Sequence, residues 1–401
     1  MSGIVVVGAG QAGASLVARL RALGHDGRIT LIGAEPLPPY QRPPLSKAYL
    51  KGEMALERLF LRPQAFYADN DIDLRLGRAV TALEPVSRSI TLDGERIGYD
   101  QLVLATGAVP RRLPPAAGGD LPGVHVLRDV ADADALAPEL AAGRRMLVVG
   151  GGYIGLEVAA VAATIGMQVT LVEAAPRILQ RVAAPETSDY FRDLHHSRGV
   201  RILEGAALAR LCGDGRLEGA ELSDGTRIDA DCAVVGVGVA PATTLAEAAG
   251  IPVENGIATD AYGRTGVAGI WAAGDCASFP WQGGRIRLES VQNAIDHAET
   301  VAANLLGADT PYEPLPWFWS DQYDVKLQIA GLNTGHDRVT TRQTDGARSH
   351  WYHRNGRLIA VDAMNDARAF MIAKRLLAEG RPADPAAIAD PGFDLRALMR
   401  G

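Results

Sequence analysis

Apolar positions 4–7 form an unbroken run of β-branched residues, Ile4, Val5, Val6 and Val7, the pattern of a strand buried on both faces. Gly8, Ala9, Gly10, Gln11, Ala12 and Gly13 follow at once, and then Leu16, Val17, Leu20 and Leu23 recur at helical spacing. Gly24 stands where a C′ glycine ends a helix, and a second apolar run at 29–32 closes a βαβ unit of about thirty residues. The same pattern returns from residue 146. Positions 146–149 predict a strand, Gly150, Gly152 and Gly155 the turn, 156–165 a helix ended by Gly166, and 169–172 a strand that stops at Glu173. The first glycines of the two turns, Gly8 and Gly150, lie 142 residues apart, so one architecture is present twice. Two further strand-like runs, 102–105 and 270–273, end in glycine turns at Thr106-Gly107 and Gly274-Asp275.

The character changes after about residue 312. Pro311, Pro314 and Pro316 mark a linker, and Trp317, Phe318 and Trp319 open a stretch whose segments 326–330, 339–342, 350–353 and 358–361 alternate in polarity. They predict an antiparallel sheet, followed by a helix over 367–378. The fold class is therefore α/β, with two Rossmann-like dinucleotide-binding domains and an α+β C-terminal domain. Its expected divisions are a discontinuous first domain of residues 1–106 and 239–312, a second of 107–238, and a third of 313–401.

Composition narrows the function classes. With 401 residues the chain exceeds one ordinary domain, and 47% hydrophobic against 22% charged residues is the balance of a globular protein. A formal charge of −7 argues against nucleic-acid and anionic-membrane partners, and no apolar run reaches the roughly 20 residues needed to span a bilayer. The N-terminus lacks the basic n-region of a signal peptide, so a cytoplasmic protein is expected. Cys212, Cys232 and Cys276 are too few and too scattered for a disulfide framework or a zinc site, and no metal is expected.

A glycine turn between a buried strand and a helix suits dinucleotides for physical reasons. The first glycine makes the turn, the second lets backbone reach the pyrophosphate, and the third lets helix and strand pack closely. The helix N-terminus then offers free N–H groups and the positive end of its dipole. One such turn is weak evidence, whereas two in strand–turn–helix–strand context are specific. Two dinucleotides in one chain mean a flavin exchanging electrons with a nicotinamide. The acid expected at the end of the following strand is Glu173 in the second copy, where a carboxylate accepts from both ribose hydroxyls and repels a 2′-phosphate, selecting NADH. In the first copy the strand runs into Gly33 and Ala34, so Glu35 is the only candidate acid.

Tyr40-Gln41-Arg42-Pro43-Pro44-Leu45-Ser46-Lys47 resembles the PY-x-RPPLSK segment of flavin-dependent ferredoxin reductases of the putidaredoxin-reductase and rubredoxin-reductase types, whose fold is that of glutathione reductase. The resemblance continues through Ala105-Thr106-Gly107, the residues 150–157, Gly274-Asp275-Cys276, the residues 289–294 and the residues 317–322, and so runs the length of the chain. It implies a first domain that holds one non-covalent FAD on Gly8, Gly10, Ala12 and Gly13, with Ala105 beside the turn and Arg42 and Lys47 near the flavin. Lys47 would stabilise negative charge on the ring, Val80 and Arg128 would contact FAD, Asp275 would bind the ribityl chain, and Val291 would lie under the pyrimidine end. Many relatives carry an acid where Ala34 stands, so either Glu35 substitutes by a one-residue shift or backbone and water hold that ribose. For NADH the resemblance implies Gly150, Gly152, Tyr153, Ile154, Gly155 and Glu173, with Glu157 approaching the nicotinamide and Gly236, Val237 and Gly238 lining its channel. Trp319 would lie above the flavin and face the partner protein, and Lys47, Glu157 and Trp319 are the catalytic candidates.

The implied activity is an NADH:ferredoxin oxidoreductase, a monomer or weak dimer, reducing a 2Fe–2S ferredoxin that serves a haem monooxygenase or a ring hydroxylase. The alternatives are reduction of rubredoxin or of a small radical such as monodehydroascorbate, or an NADH-sensing interaction flavoprotein. A disulfide or peroxide reductase would need a redox cysteine by the flavin, and residues 36–60 contain none. Cys276 is expected to be a packing residue, and His195 and His196 to be core or solvated positions on a helix with Tyr190, Phe191 and Leu194.

Overall fold

The computed structural model describes residues 3–400. Contacts gather them into two compact units. The first comprises the chain up to Arg42, Leu56–Val109 and Val239–Pro314; the second comprises Pro43–Ala55, Pro110–Gly238 and the chain from Leu315.

The core of the first unit is a five-stranded parallel sheet in the order Ile270–Ala272, Gln101–Leu104, Ile4–Val7, Ile29–Ile32, Ile72–Arg75. Ile4, Val5, Val6 and Val7 are all buried, as a run covered on both faces requires: Ile4 and Val6 pack with helix residues such as Leu16 and Val301, and Val5 and Val7 with Leu83, Ile90 and Leu92. The helix Gln11–Ala22 turns Leu16, Val17 and Leu20 inward, each worth about 1.5–3 kcal/mol when fully buried. Its apolar face meets Ala294, Ala298, Val301 and Ala302 of the helix Val291–Leu305. A three-stranded antiparallel sheet, Val80–Glu84, Ser89–Leu92 and Glu95–Gly98, lies beyond the expected elements.

The second unit repeats the parallel design in the order Arg201–Glu204, Gln168–Glu173, Arg145–Val149, Cys232–Val235, Val124–His125. It also holds the antiparallel sheet expected near the C-terminus. That sheet runs Trp317–Gln322, Val325–Gly331, Arg357–Met364, Ala347–Arg354, Arg338–Thr344. The helix Ala367–Glu379 covers one face with Ala369, Phe370, Ile372, Ala373 and Leu376 on Trp351 and Val361. No helix among the described residues is long and apolar enough to cross a membrane.

Candidate functional site

In the first unit the glycine turn is dictated by close backbone approach. Gly8 has φ +118°, and a Cβ there would fall 2.1 Å from the carbonyl oxygen of Ala105; a Cβ on Gly13 would fall 2.0 Å from that of Gly8. At Gly10 the opposite holds, since a Cβ would meet nothing within 4 Å. Open space at the second glycine and crowding at the first and third is the shape that admits a pyrophosphate. Gly10 caps the helix with extended backbone and no side-chain hydrogen bond, which leaves the first N–H groups of the helix without side-chain partners. Ala12 is buried there, and Gly274 approaches it so closely that a Cβ would lie 2.9 Å from the Ala12 methyl. This brings half-buried Asp275, whose carbonyl accepts from Arg287, to the same cradle. Val291 opens its helix behind Ser290, whose hydroxyl accepts from the Asn293 N–H.

Glu35, after the second strand, pairs with Arg42 at 2.5 Å and accepts from the Tyr40 hydroxyl, while the Arg42 guanidinium lies 5.0 Å from the centre of the Tyr40 ring. Ala34 is exposed. Val80, half-buried, begins the antiparallel sheet.

The second unit repeats the cradle. Gly150 has φ +106° with a virtual Cβ 2.4 Å from the Gly236 carbonyl, Gly155 would press 2.1 Å from that of Gly150, and Gly152 is open. Gly152 also caps its helix, Tyr153–Ile165, with no side-chain hydrogen bond. Ile154 and Val237 are 44% and 41% exposed beside this turn, apolar surface that a bound ligand would cover. Gly236 and Gly238 flank Val237 after a fully buried strand. Glu173 ends its strand with one carboxylate oxygen 2.7 Å from the Gly151 nitrogen and the other 2.7 Å from that of Ala175, both backbone N–H groups donating. Both cradles thus fit a dinucleotide on geometry alone.

The residues around Glu157 form a buried polar cluster in this unit. Glu157 is 3% exposed, and Lys47 Nζ donates to its Oε2 at 2.6 Å. The Ser46 hydroxyl donates to the same oxygen at 2.5 Å, and the Ser320 hydroxyl donates to Oε1 at 2.7 Å. A buried carboxylate costs several kcal/mol to desolvate, and one cation with two hydroxyls offsets that cost. Helix and strand periods make the arrangement: Tyr153 and Glu157 are four residues apart on one helix face, and Phe318 and Ser320 two apart on one strand face. Tyr153 accordingly packs on Phe318, ring centres 4.5 Å apart with the planes tilted by 31°, and its hydroxyl is held far above its usual pKa by burial. Alternation sends half-buried Trp319 to the other face, where its ring lies 5.7 Å from that of Trp317. Half-buried Arg128 precedes the capped helix Val130–Leu136, its N–H donating to Asp132.

The structure brings together Lys47 with Glu157, Gly8 with Ala105, and Ala12 with Gly274. Ser46, Ser320 and Tyr40 are functional candidates that the sequence reading did not single out. All three lie inside the quoted motifs, but a lone hydroxyl has no spacing that marks it. The cysteines stand apart from this chemistry. Cys276 is fully buried with its thiol 3.4 Å from the carbonyls of Leu104 and Ala273, and burial pushes the Cys232 thiol up to about 11.

Two helix-capped glycine cradles, each at the end of a parallel strand, define a two-dinucleotide oxidoreductase. The pyridine nucleotide-disulphide oxidoreductase family matches residues 2–298 and the reductase C-terminal family matches residues 317–399. The chain belongs to the pyridine nucleotide-disulphide oxidoreductases, a family that uses FAD and NAD(P)H. A ferredoxin–NAD(P)+ reductase of a Sphingomonas species is 44% identical over 404 residues, 99% of this chain and 97% of its own. Rhodocoxin reductase of Rhodococcus erythropolis is 44% identical over 399 residues, 98% of this chain and 93% of its own. The crystal structure of a covalent putidaredoxin reductase–putidaredoxin complex superposes with a TM-score of 0.96 at 39% identity, covering 100% of this chain and 98% of the other.

Proposed function

We propose that this chain is an NADH:ferredoxin oxidoreductase that holds one non-covalent FAD and passes single electrons to a 2Fe–2S ferredoxin serving a haem monooxygenase or ring hydroxylase. The observation that carries this reading is the likeness, over nearly the whole chain, to reductases whose names speak of ferredoxin and rhodocoxin. The two open cradles support it, since a ferredoxin cluster takes one electron where a nicotinamide gives two. When bound, FAD supplies the conversion of a two-electron hydride transfer into two one-electron steps.

The chain's own residues then have separable tasks. The N-terminal cradle, with Gly10, Ala12 and Asp275, binds FAD, and the cradle of Gly152 binds the nicotinamide nucleotide with Glu173 at the adenosine ribose. Lys47, held by Glu157, carries the positive charge for the flavin, and Trp319 faces the partner protein. On this reading the FAD domain is residues 1–106 with 239–312, the NAD domain 107–238, and the C-terminal domain 313–401. A thiol mechanism finds no support, because burial raises the pKa of Cys232 and Cys276 and so suppresses the thiolate.

The test is purified protein with NADH and a panel of small 2Fe–2S ferredoxins, followed by bleaching of the cluster absorbance. Denaturation should release one equivalent of FAD, and cytochrome c reduction should be slow until a matching ferredoxin is added. NADH oxidation that reduces no ferredoxin, or release of FMN instead, would overturn the proposal.

A further inference from the structure

From Glu157 a line of hydrogen bonds runs back through three more buried side chains. Ser320 Oγ lies 2.7 Å from Glu157 Oε1, Gln322 Nε2 lies 3.2 Å from Ser320 Oγ, and His195 Nε2 lies 2.9 Å from Gln322 Oε1. The Tyr323 hydroxyl ends the line, 3.1 Å from His195 Nδ1. Ser320, Gln322 and His195 have no solvent exposure.

The inventory of donors fixes the direction of every bond. An ionised carboxylate only accepts, so Ser320 donates to it, and the Ser320 oxygen then accepts from the Gln322 amide nitrogen. That leaves the Gln322 oxygen as an acceptor, so His195 donates from Nε2 and receives the Tyr323 proton at Nδ1. Burial lowers the imidazole pKa to about 4, which keeps the ring neutral in this one tautomer at neutral pH. Each dipole in the line therefore points its positive end towards Glu157, and in a low dielectric such dipoles reinforce one another.

The far end is held at a conformational cost. Tyr323 has φ +56°, the left-handed region that a bulky residue rarely adopts. Arg198 braces this turn, with its guanidinium 5.3 Å from the centre of the Tyr323 ring and an ion pair of 2.8 Å to Asp324. Glu157 also has somewhere else to go. It lines, with Lys47, Tyr323 and Arg198, a cavity of about 510 Å³ into which a released carboxylate could turn and hydrate. Lys47 pairs with Glu157, Tyr153 lies one helical turn earlier, and Lys51, Arg198, Asp321, Tyr323 and Asp324 line the same cavity; the titratable groups that face His195 are His196 and Tyr323, the latter beneath Arg198.

We propose that Ser320, Gln322 and His195 are positioning residues, a polarised chain that keeps Glu157 turned to Lys47 for the electron transfer from NADH. The proposal rests on the oxidoreductase reading above, but its first readout is independent of turnover. In 13C,15N-labelled protein, with the signals assigned by Glu157→Gln, the NMR coupling across the Lys47–Glu157 ion pair should be lost in Ser320→Ala. Tyr323→Phe, which removes only the last hydroxyl, should weaken that coupling without abolishing it. In 15N spectra of the wild type, His195 should carry its proton on Nε2. In single-turnover reduction by NADH at pH 7, Ser320→Ala should be about tenfold slower, with the dissociation constant for NADH changed less than about twofold.

An Nδ1 proton on His195 would overturn the donor order. An unchanged Lys47–Glu157 coupling in Ser320→Ala, with loss confined to melting temperature, would reduce Ser320 to a structural residue. If Ser320→Ala fails to fold, the Tyr323→Phe coupling and the wild-type tautomer decide. A wild type that NADH does not reduce, while Ser320→Ala still loses the coupling, would sink the oxidoreductase reading and leave the positioning chain standing.

Discussion

At the end of its strand the Glu173 carboxylate is held by two backbone N–H groups, those of Gly151 and Ala175, each at 2.7 Å. On the proposed reading, this charge beside an open glycine cradle would accept from ribose hydroxyls and repel a phosphate in the same place. Hydrogen bonds to a charged group are worth about 1.5–3 kcal/mol, so NADH should be preferred to NADPH by roughly ten- to a hundredfold. Glu173→Ala should raise the apparent KM for NADH and narrow that gap; equal use of both nucleotides by the wild type would remove Glu173 from the ribose. His297 makes a different kind of prediction. Its ring stacks on Tyr312 at 4.6 Å, neither nitrogen has a hydrogen-bond partner, and burial pushes its pKa down to about 3. An unfolded histidine titrates near 6.5, so between these values the unfolded chain binds a proton that the folded one refuses. The contribution is complete above about pH 6.5 and is lost as pH falls towards 3. The melting temperature of His297→Leu should therefore fall less steeply than that of the wild type from pH 6.5 to 4.5, and parallel curves would refute the assignment.

Elements are joined by a buried carboxylate in the second unit. Asp362, on the strand Arg357–Met364, accepts from the Tyr352 hydroxyl at 2.5 Å and from the Thr187 hydroxyl at 2.7 Å, the latter on the helix Pro185–Ser197. Its other oxygen has no partner, and burial raises its pKa to about 6. The folded state thus keeps a proton that the unfolded state has already released above about pH 4, and stability from this group is lost as pH rises through 6. Asp362→Asn should gain on the wild type by about 1–3 kcal/mol between pH 4 and 7, measured by urea unfolding. A difference that stays constant with pH would show that Asp362 does not titrate in that range. Element boundaries carry their own lesson. The second-unit helix starts at Tyr153, three residues before the expected 156, because Gly155 lies in its first turn. Glycine is a poor helix former, yet only glycine lets that turn pack against the Gly150 carbonyl.

At the scale of the whole molecule, electrons should pass without any thiol. Among the described residues Cys232 and Cys276 are buried and Cys212 is half-buried, and none is in a disulfide. The triple variant Cys212→Ser, Cys232→Ser, Cys276→Ser should keep most NADH-dependent ferricyanide reduction, with a loss of stability of about 1–3 kcal/mol from polar atoms in packed sites. A folded, FAD-loaded triple variant that cannot oxidise NADH would restore thiol chemistry.

The two cradles, the strands and helices around them and the C-terminal sheet were legible in the sequence because their rules are local. A left-handed φ at Gly8 and Gly150, a run of β-branched residues and a period of two or 3.6 are each written within a few neighbours. The family motifs likewise named Lys47, Glu157 and Trp319. What the sequence could not show is which side chains complete the site. Glu157 meets Ser46 from 111 positions away and Ser320 from 163, and His195 meets Gln322 from 127. Single hydroxyl, amide and imidazole groups have no periodicity, and their meaning arises only when packing removes water and leaves each donor one acceptor. Backbone sterics wrote the cradles into the chain, and burial, acting across the folded second unit, chose the residues that hold its acid.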